Sequence, residues 1–327
     1  MEADMDFKIF SGGANHPLAE KIVQVSDIEE DLGHIKLTNF ADGEQYVRFE
    51  ENLRNQTVFV IQSTNQPDSN LIQLFLMLKA ALGASALRVI AVVPYYGYAR
   101  QERKSAGREA ISASLWAQFI DELGIERVVF MDLHANAIEG FFRNTKVDHL
   151  YARPVLIKVI KGLFENEINN NEIVVVSPDA GGVNRARAWA QRLNGSDLAI
   201  IDKRREGPNR TRAYNVVGEV EGKIALVVDD MFDTCGTVVA GAEALINKGA
   251  KRVLAVATHG LFSDDAFEKI NNSLIDRIFV TDTVYNPTTS QKIESADKIE
   301  VVSVSEHFAR AIVRISNNQS LSAALFD

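Results

Sequence analysis

Short apolar runs alternate with helix-spaced apolar positions along almost the whole chain. Residues 58–62, 88–94, 127–132, 172–177, 224–229, 252–258 and 277–281 are rich in Val and Ile and bounded by turn residues, which predicts buried strands. Between them, 71–82, 110–123, 152–164, 182–193 and 237–248 carry apolar side chains at three- and four-residue intervals and predict helices. Strand–helix alternation of this kind predicts an α/β fold with mostly parallel sheets flanked by helices. The pattern also repeats. Gly83-Ala84 followed by Arg88-Val89-Ile90-Ala91-Val92 resembles Gly249-Ala250 followed by Arg252-Val253-Leu254-Ala255-Val256. In both, a helix ends at Gly-Ala and a basic residue opens a buried strand. Two similar α/β domains are expected, residues 1–152 and 153–327, with Pro154 suited to the first turn of the helix opening the second.

Composition narrows the class of partner. With 327 residues, 46% hydrophobic and 24% charged, the chain has material for two cores. A net charge of −9 argues against nucleic acid or an anionic membrane as the main partner. A single cysteine, Cys235, excludes an internal disulfide and fits a reducing compartment. The acidic first six residues carry no apolar signal core, and no run approaches the ~20 residues needed to cross a bilayer. A soluble cytoplasmic protein is expected.

The richest segment is Ala225-Leu226-Val227-Val228-Asp229-Asp230-Met231-Phe232-Asp233-Thr234-Cys235-Gly236-Thr237. A buried strand runs into two carboxylates, then a small hydroxyl-bearing loop, then a helix. The first turn of such a helix offers free N–H groups and a favourable dipole to an anion. Gly236 is expected to let backbone approach a ligand, and Thr234 and Thr237 add hydroxyl donors. Asp229 and Asp230 repel phosphate but suit ribose hydroxyls or a magnesium ion. The reading is a cradle for a phosphorylated sugar.

Two basic clusters supply positive charge to an acidic chain. One is Tyr95-Tyr96-Gly97-Tyr98-Ala99-Arg100-Gln101-Glu102-Arg103-Lys104; the other runs from Ile201-Asp202-Lys203-Arg204-Arg205 through Arg210 and Arg212. Gly207, Pro208 and Asn209 mark a turn, so residues 201–218 are expected to form a projecting hairpin, a basic flap able to close over a polyphosphate. The chain has no G-x-x-x-x-G-K-[ST], so a Walker A loop is excluded. Asp179, in Ser177-Pro178-Asp179-Ala180-Gly181-Gly182, is a hard oxygen donor at a strand end.

VVDDMFDTCGT resembles the 5-phosphoribosyl-1-pyrophosphate loop shared by phosphoribosyltransferases and the ribose-phosphate pyrophosphokinase family. Further motifs in the same order as in the latter family are Phe40-Ala41-Asp42-Gly43-Glu44, Y-A-R-Q-E-R-K, Asp132-Leu133-His134-Ala135, S-P-D-A-G-G, and the terminal Ser320–Phe326 stretch. The resemblance implies that Phe40, Asp42, Gly43, Glu44, Arg100 and Gln101 bind ATP, with residues 1–152 as the ATP-binding domain. It implies that Arg205, Asp229, Asp230, Asp233, Thr234, Cys235, Gly236 and Thr237 bind ribose 5-phosphate. By the same resemblance His134 and Asp179 hold Mg²⁺, and Lys203 and Arg205 are catalytic. The implied reaction is pyrophosphoryl transfer from ATP to ribose 5-phosphate, in a homo-oligomer (a hexamer) regulated by ADP and phosphate. The chain departs from the family pattern at Ala137 and Glu139, where relatives carry glutamine, and by an extra small residue near its end. Two other readings share the loop: a phosphoribosyltransferase, and a regulatory subunit without catalysis.

Overall fold

The computed structural model describes residues 7–205 and 212–321, and the side chains of all of these but 203–205 and 212–214. The described chain divides into two compact units. The first comprises residues 7–152, 283–286 and 303–321. It runs through β1 (Phe7–Ser11), α1 (His16–Val23), the hairpin β2 (Ile35–Asn39) and β3 (Gln45–Phe49), β4 (Thr57–Ile61), α2 (Ser69–Gly83), β5 (Arg88–Val93), α3 (Ser112–Leu123), β6 (Arg127–Met131) and β7 (Lys146–Leu150). Its sheet has the order β1-β4-β5-β6-β7, every pair parallel. All of β4 is buried, as expected of a strand covered on both faces. Phe10, Val58, Val60, Leu74, Met77, Val89 and Ala117 share its core cluster.

The second unit comprises 153–282 and 287–302. It contains α4 (Arg153–Leu163), α5 (Glu165–Asn169), β8 (Ile173–Ser177), α6 (Val183–Arg192), β9 (Asp197–Arg205), β10 (Arg212–Val217), β11 (Ile224–Phe232), α7 (Gly236–Asn247), β12 (Arg252–Gly260), α8 (Ala266–Asn271), β13 (Ile275–Thr281), α9 (Pro287–Glu294) and β14 (Ile299–Val302). The sheet order is β10-β9-β8-β11-β12-β13-β14; only the β9/β10 hairpin is antiparallel. Val174, Val176, Ala225, Val227, Ala242, Leu245 and Val253 lie in its core.

One expectation is corrected here. Residues 153–327 were expected to form a single second domain, but α10 (Ser305–Ser316) belongs to the first unit. Its apolar stripe Phe308, Ala311, Ile312 and Ile315 is buried, it packs on α1, and the Arg88 guanidinium donates to the Ile315 carbonyl at 3.3–3.4 Å. The basic hairpin expected over 201–218 has its two described strands paired, Ile201 opposite Val216. Its turn, Gly207 to Asn209, lies outside the described residues, as does the terminal run from Ser322.

The duplication runs deeper than the short repeat. Parallel pairing aligns Thr57 with Arg88 in one sheet and Ile224 with Arg252 in the other. Carried across both sheets, the register matches β1-β4-β5-β6-β7 with β8-β11-β12-β13-β14. Ion pairs obey the same register. Arg88 reaches Glu126 at 2.6 Å, as Arg252 reaches Asp276; Arg127 reaches Asp148 at 2.5 Å, as Arg277 reaches Glu300. Each arginine at a strand start thus meets an acid on the next strand, in both copies.

Candidate active site

β11 extends three residues past the predicted strand end, so Asp229 and Asp230 sit within its last turn of pleat. The chain then bends through Asp233 and Thr234 into α7. Cys235, with φ 57°, is the left-handed residue of the bend. Gly236 is instead the first helical residue, and a methyl group there would meet nothing within 4 Å, so open space fronts the loop. The Val239 N–H bonds the Cys235 carbonyl at 3.0 Å, and the N–H groups ahead of it have no intrahelical partner. No side chain caps this helix. The arrangement leaves backbone N–H groups turned toward open space, the geometry that suits an anion. It is braced from behind: Leu261 and Phe262 N–H groups donate to the Phe232 carbonyl, Ser263 N–H to Asp233, and Lys269 Nζ to the Thr234 carbonyl at 3.4 Å. Cys235 is buried, and burial together with the Asp233 charge pushes its thiol up to about 12, so it fills space and is not a nucleophile.

The two carboxylates share a cation. Arg185 Nη1 lies 3.2 Å from Asp229 Oδ1 and 3.2 Å from Asp230 Oδ1. Asp230 is buried, whereas the Asp229 side chain is 27% exposed. Burial first, and the Asp230 charge second, push the Asp229 carboxyl up to about 8, with Arg185 pulling the other way. Arg185 comes from α6, whose β8 is the parallel neighbour of β11. The same β8–α6 loop carries Asp179, whose Oδ1 accepts the Gly182 N–H at 3.0 Å. Sequence reasoning passed over Arg185. Its signal was a basic residue one turn into the helix after S-P-D-A-G-G, on the strand end next to an acid pair.

The first unit carries a different set. Phe40, 56% exposed, caps the β2–β3 hairpin with its ring edge-on to Tyr46. Gly43 takes φ 95°, Asp42 Oδ1 accepts the Glu44 N–H at 3.1 Å, and the Phe40 N–H donates to the Glu44 carbonyl. Arg100 and Gln101 are exposed on the loop after β5. That loop is fixed from below. A Cβ on Gly97 would lie 2.2 Å from the Thr64 carbonyl oxygen, so only glycine fits, and its N–H donates to Thr64 Oγ1 at 2.7 Å. Tyr98 Oη donates to Asp68 at 2.6 Å, and Gln101 accepts from Ser112 Oγ.

His134 is exposed just beyond β6. Its neighbour Leu133 donates its N–H to Nε2 of buried His149 at 2.9 Å, while His149 Nδ1 and Glu139 Oε1 meet at 2.6 Å. An accepting Nε2 places the ring proton on Nδ1, toward the carboxylate. Glu139, the departure from the family pattern, is therefore half of a pair that holds the loop of His134.

Of the expected site residues, Phe40, Asp42, Gly43, Glu44, Arg100, Gln101 and His134 belong to the first unit. Asp179, Lys203, Arg205, Asp229, Asp230, Asp233, Thr234, Cys235, Gly236 and Thr237 belong to the second. Lys203 and Arg205 lie on β9, and their side chains are outside the described set. Among the described residues no three His, Cys, Asp or Glu side chains converge into a metal cage, and no helix is long and apolar enough to cross a membrane.

A parallel α/β sheet ending in paired acids and a helix start open to anions places the chain in the broad class of α/β proteins with a ligand loop at a strand end. Residues 7–124 match the family described as the N-terminal domain of ribose phosphate pyrophosphokinase, and residues 203–326 match the phosphoribosyl synthetase-associated domain. The chain is 46% identical to ribose-phosphate pyrophosphokinase of Thermotoga maritima, over 98% of this chain and 99% of the relative. It is also 46% identical to that of Fusobacterium nucleatum, over 96% of each. The crystal structure of phosphoribosylpyrophosphate synthetase from Mycobacterium smegmatis superposes with a TM-score of 0.87 at 36% identity, covering 96% of this chain and 99% of that one. The chain belongs to the ribose-phosphate pyrophosphokinase family.

Proposed function

We propose that the protein transfers the pyrophosphoryl group of ATP to the C1 hydroxyl of ribose 5-phosphate, giving 5-phosphoribosyl 1-pyrophosphate and AMP for nucleotide biosynthesis. The observation that carries this reading is the cradle after β11, where helix N–H groups front open space beside two carboxylates. The 5-phosphate sits on the Asp233–Thr237 loop, with its charge met by the N–H groups and the Thr234 and Thr237 hydroxyls. Asp229 and Asp230 take the ribose 2- and 3-hydroxyls, which orients C1 toward the nucleotide. The C1 oxygen forms a bond to the β-phosphorus as the bond from that phosphorus to the oxygen of the AMP moiety breaks.

ATP is held by Arg100 and Gln101 through its phosphates, and by Phe40, Asp42, Gly43 and Glu44 through its base. Lys203 and Arg205 close over the transferring group and offset its developing charge. Such catalysis is mostly positioning and electrostatics. Asp229 and Asp230 are hard oxygen donors that would hold Mg²⁺, and the bridging Arg185 marks a place that demands positive charge; Asp179, also a hard donor, would hold a second Mg²⁺. When bound, it neutralises the polyphosphate and orients its oxygens. His134, a nitrogen donor, is its weaker ligand by chemistry.

The exposed Phe40 hairpin suits contact with a neighbouring subunit, so the working form is a homo-oligomer, a hexamer built from dimers, in the cytoplasm. The segment from Ser320 contributes to regulation by ADP and phosphate. Incubation with ATP, Mg²⁺ and ribose 5-phosphate should release AMP, seen by chromatography or ³¹P NMR. A phosphoribosyltransferase would instead consume 5-phosphoribosyl 1-pyrophosphate in the presence of a base. Absence of AMP from folded oligomer would leave a regulatory subunit and refute the proposal.

A further inference from the structure

We propose that Arg185 is the resident counter-ion of the sugar site, holding Asp229 and Asp230 in the ligand-free protein and surrendering them to Mg²⁺ and the ribose hydroxyls on loading. The inference rests on the reading of this strand end as the ribose-phosphate site. It adds a positioning residue to that site.

Three features of the contact argue for a placeholder. First, a single nitrogen, Nη1, serves both carboxylates at 3.2 Å each. A structural arginine clamp uses two nitrogens on two oxygens in parallel at shorter range, the geometry that locks the guanidinium plane. Arg88 on Glu126 shows that tighter form in this same chain, with Nε and Nη2 at 2.6 and 3.0 Å. Second, the acids crowd one another. Asp230 is buried and Asp229 adjoins it, with Asp229 Oδ1 also accepting the Asp230 N–H at 2.9 Å, so the backbone holds two carboxyl groups side by side at a place that favours positive charge. Third, the Arg185 side chain is itself 25% exposed, so it leaves the acids for water at modest cost. A doubly charged ion is the better partner for two carboxylates, and a flexible monocation on the neighbouring helix is displaced by it.

Competition has a sign that neither a structural brace nor a substrate ligand shares. Removing a competitor tightens metal binding; removing a brace or a ligand does not. In Arg185→Ala, Mg²⁺ alone, titrated into nucleotide-free protein by calorimetry, should bind about three- to tenfold more tightly than in the parent, the range set by a partly exposed ion pair. The Mg²⁺-induced rise in melting temperature should be larger too, because the ligand-free variant has lost this counter-charge. Arg185→Gln, neutral and similar in reach, should behave like the alanine variant, and Arg185→Lys should stay near the parent. If the alanine variant does not fold, the glutamine variant decides. Equal or weaker Mg²⁺ binding in the neutral variants overturns the inference. Parent protein that fails to bind ribose 5-phosphate, or binds it undiminished in Asp230→Asn, instead overturns the reading of the site beneath it.

Discussion

Replacing His149 with leucine tests how the loop that carries His134 is held. His149 is 5% exposed and lies on β7. It accepts the Leu133 N–H at 2.9 Å, meets Glu139 at 2.6 Å, and its ring centroid lies 4.5 Å from that of Tyr151. Leucine nearly conserves the volume, so cavity cost is small. What is lost is the acceptor for a buried backbone N–H, about 1–3 kcal/mol, and a ring contact of about 0.5–1 kcal/mol. A total of about 2–4 kcal/mol corresponds to a fall in melting temperature of roughly 5–15 °C for a unit of this size. Differential scanning calorimetry on ligand-free protein reads it directly. His149→Gln, whose amide oxygen can reach toward Leu133, should recover about half of the loss. Because the freed loop also bears His134, the leucine variant should raise the KM for Mg·ATP about three- to tenfold, with a smaller change in kcat. A leucine variant that melts within 1 °C of the parent would refute the claim that the imidazole is the loop's anchor.

Three other outcomes follow from the same structure. Lys203→Ala should lower kcat by ~10²-fold or more while leaving KM for ribose 5-phosphate nearly unchanged; steady-state AMP release decides, and parental turnover removes Lys203 from the chemistry. Phe40→Ala should raise the KM for ATP about tenfold or more, the scale of one base-stacking contact, and an unchanged KM removes Phe40 from the nucleotide site. Asp121 governs acid stability: burial opposes its charge, but N–H bonds from Thr145, Arg143 and Asn144 outweigh burial and hold its carboxyl below the ordinary value. A depressed acid contributes stability above its unfolded pKa of ~4 that is lost as pH falls through the folded value. Asp121→Asn should therefore flatten the melting-temperature decline below about pH 4, and an unaltered acid limb would contradict the assignment.

The backbone plan was legible in the sequence because buried parallel strands announce themselves. Runs such as Val58–Ile61 and Val174–Val176 have both faces covered, so they read as unbroken apolar segments whatever their partners. What escaped was whatever depended on a distant partner. β1 and β14 are short, and α10 joins the first unit only because Phe308 and Ile312 find their cover there. The cradle was readable from a local string of strand, acids and hydroxyls. Arg185 was not, because its meaning comes from lying 44 positions away on the adjoining strand–helix unit. Gly97 likewise looked like one loop residue among several until the Thr64 carbonyl was found where its side chain would be. The left-handed Cys235 shows the limit of residue preference: a non-glycine takes the bend, which is braced by hydrogen bonds from 261–263.

The two copies differ most at the strand end where the second carries its acid pair. By sheet register Gln62 and Ser63 occupy the positions of Asp229 and Asp230, and Gly13 that of Asp179. In the first copy these positions are neutral and internally satisfied. Gln62 accepts the Ala14 N–H at 3.0 Å and donates to the Asn70 carbonyl and to Gln73, and Ser63 donates to the Thr283 carbonyl at 2.8 Å. A paired amide and hydroxyl there cost little, whereas two adjacent carboxyl groups repel when ionised and favour a cation beside them. The second copy retains that unfavourable pair, and Arg185 with it, which folding alone does not require. With its own cradle filled, the first copy uses the loop after β4 as a floor: Thr64 and Asp68 position Gly97 and Tyr98, and so present Arg100 and Gln101. The same frame thus presents a neutral, filled strand end in one copy and an acid pair in the other, with Gln62 standing where Asp229 does.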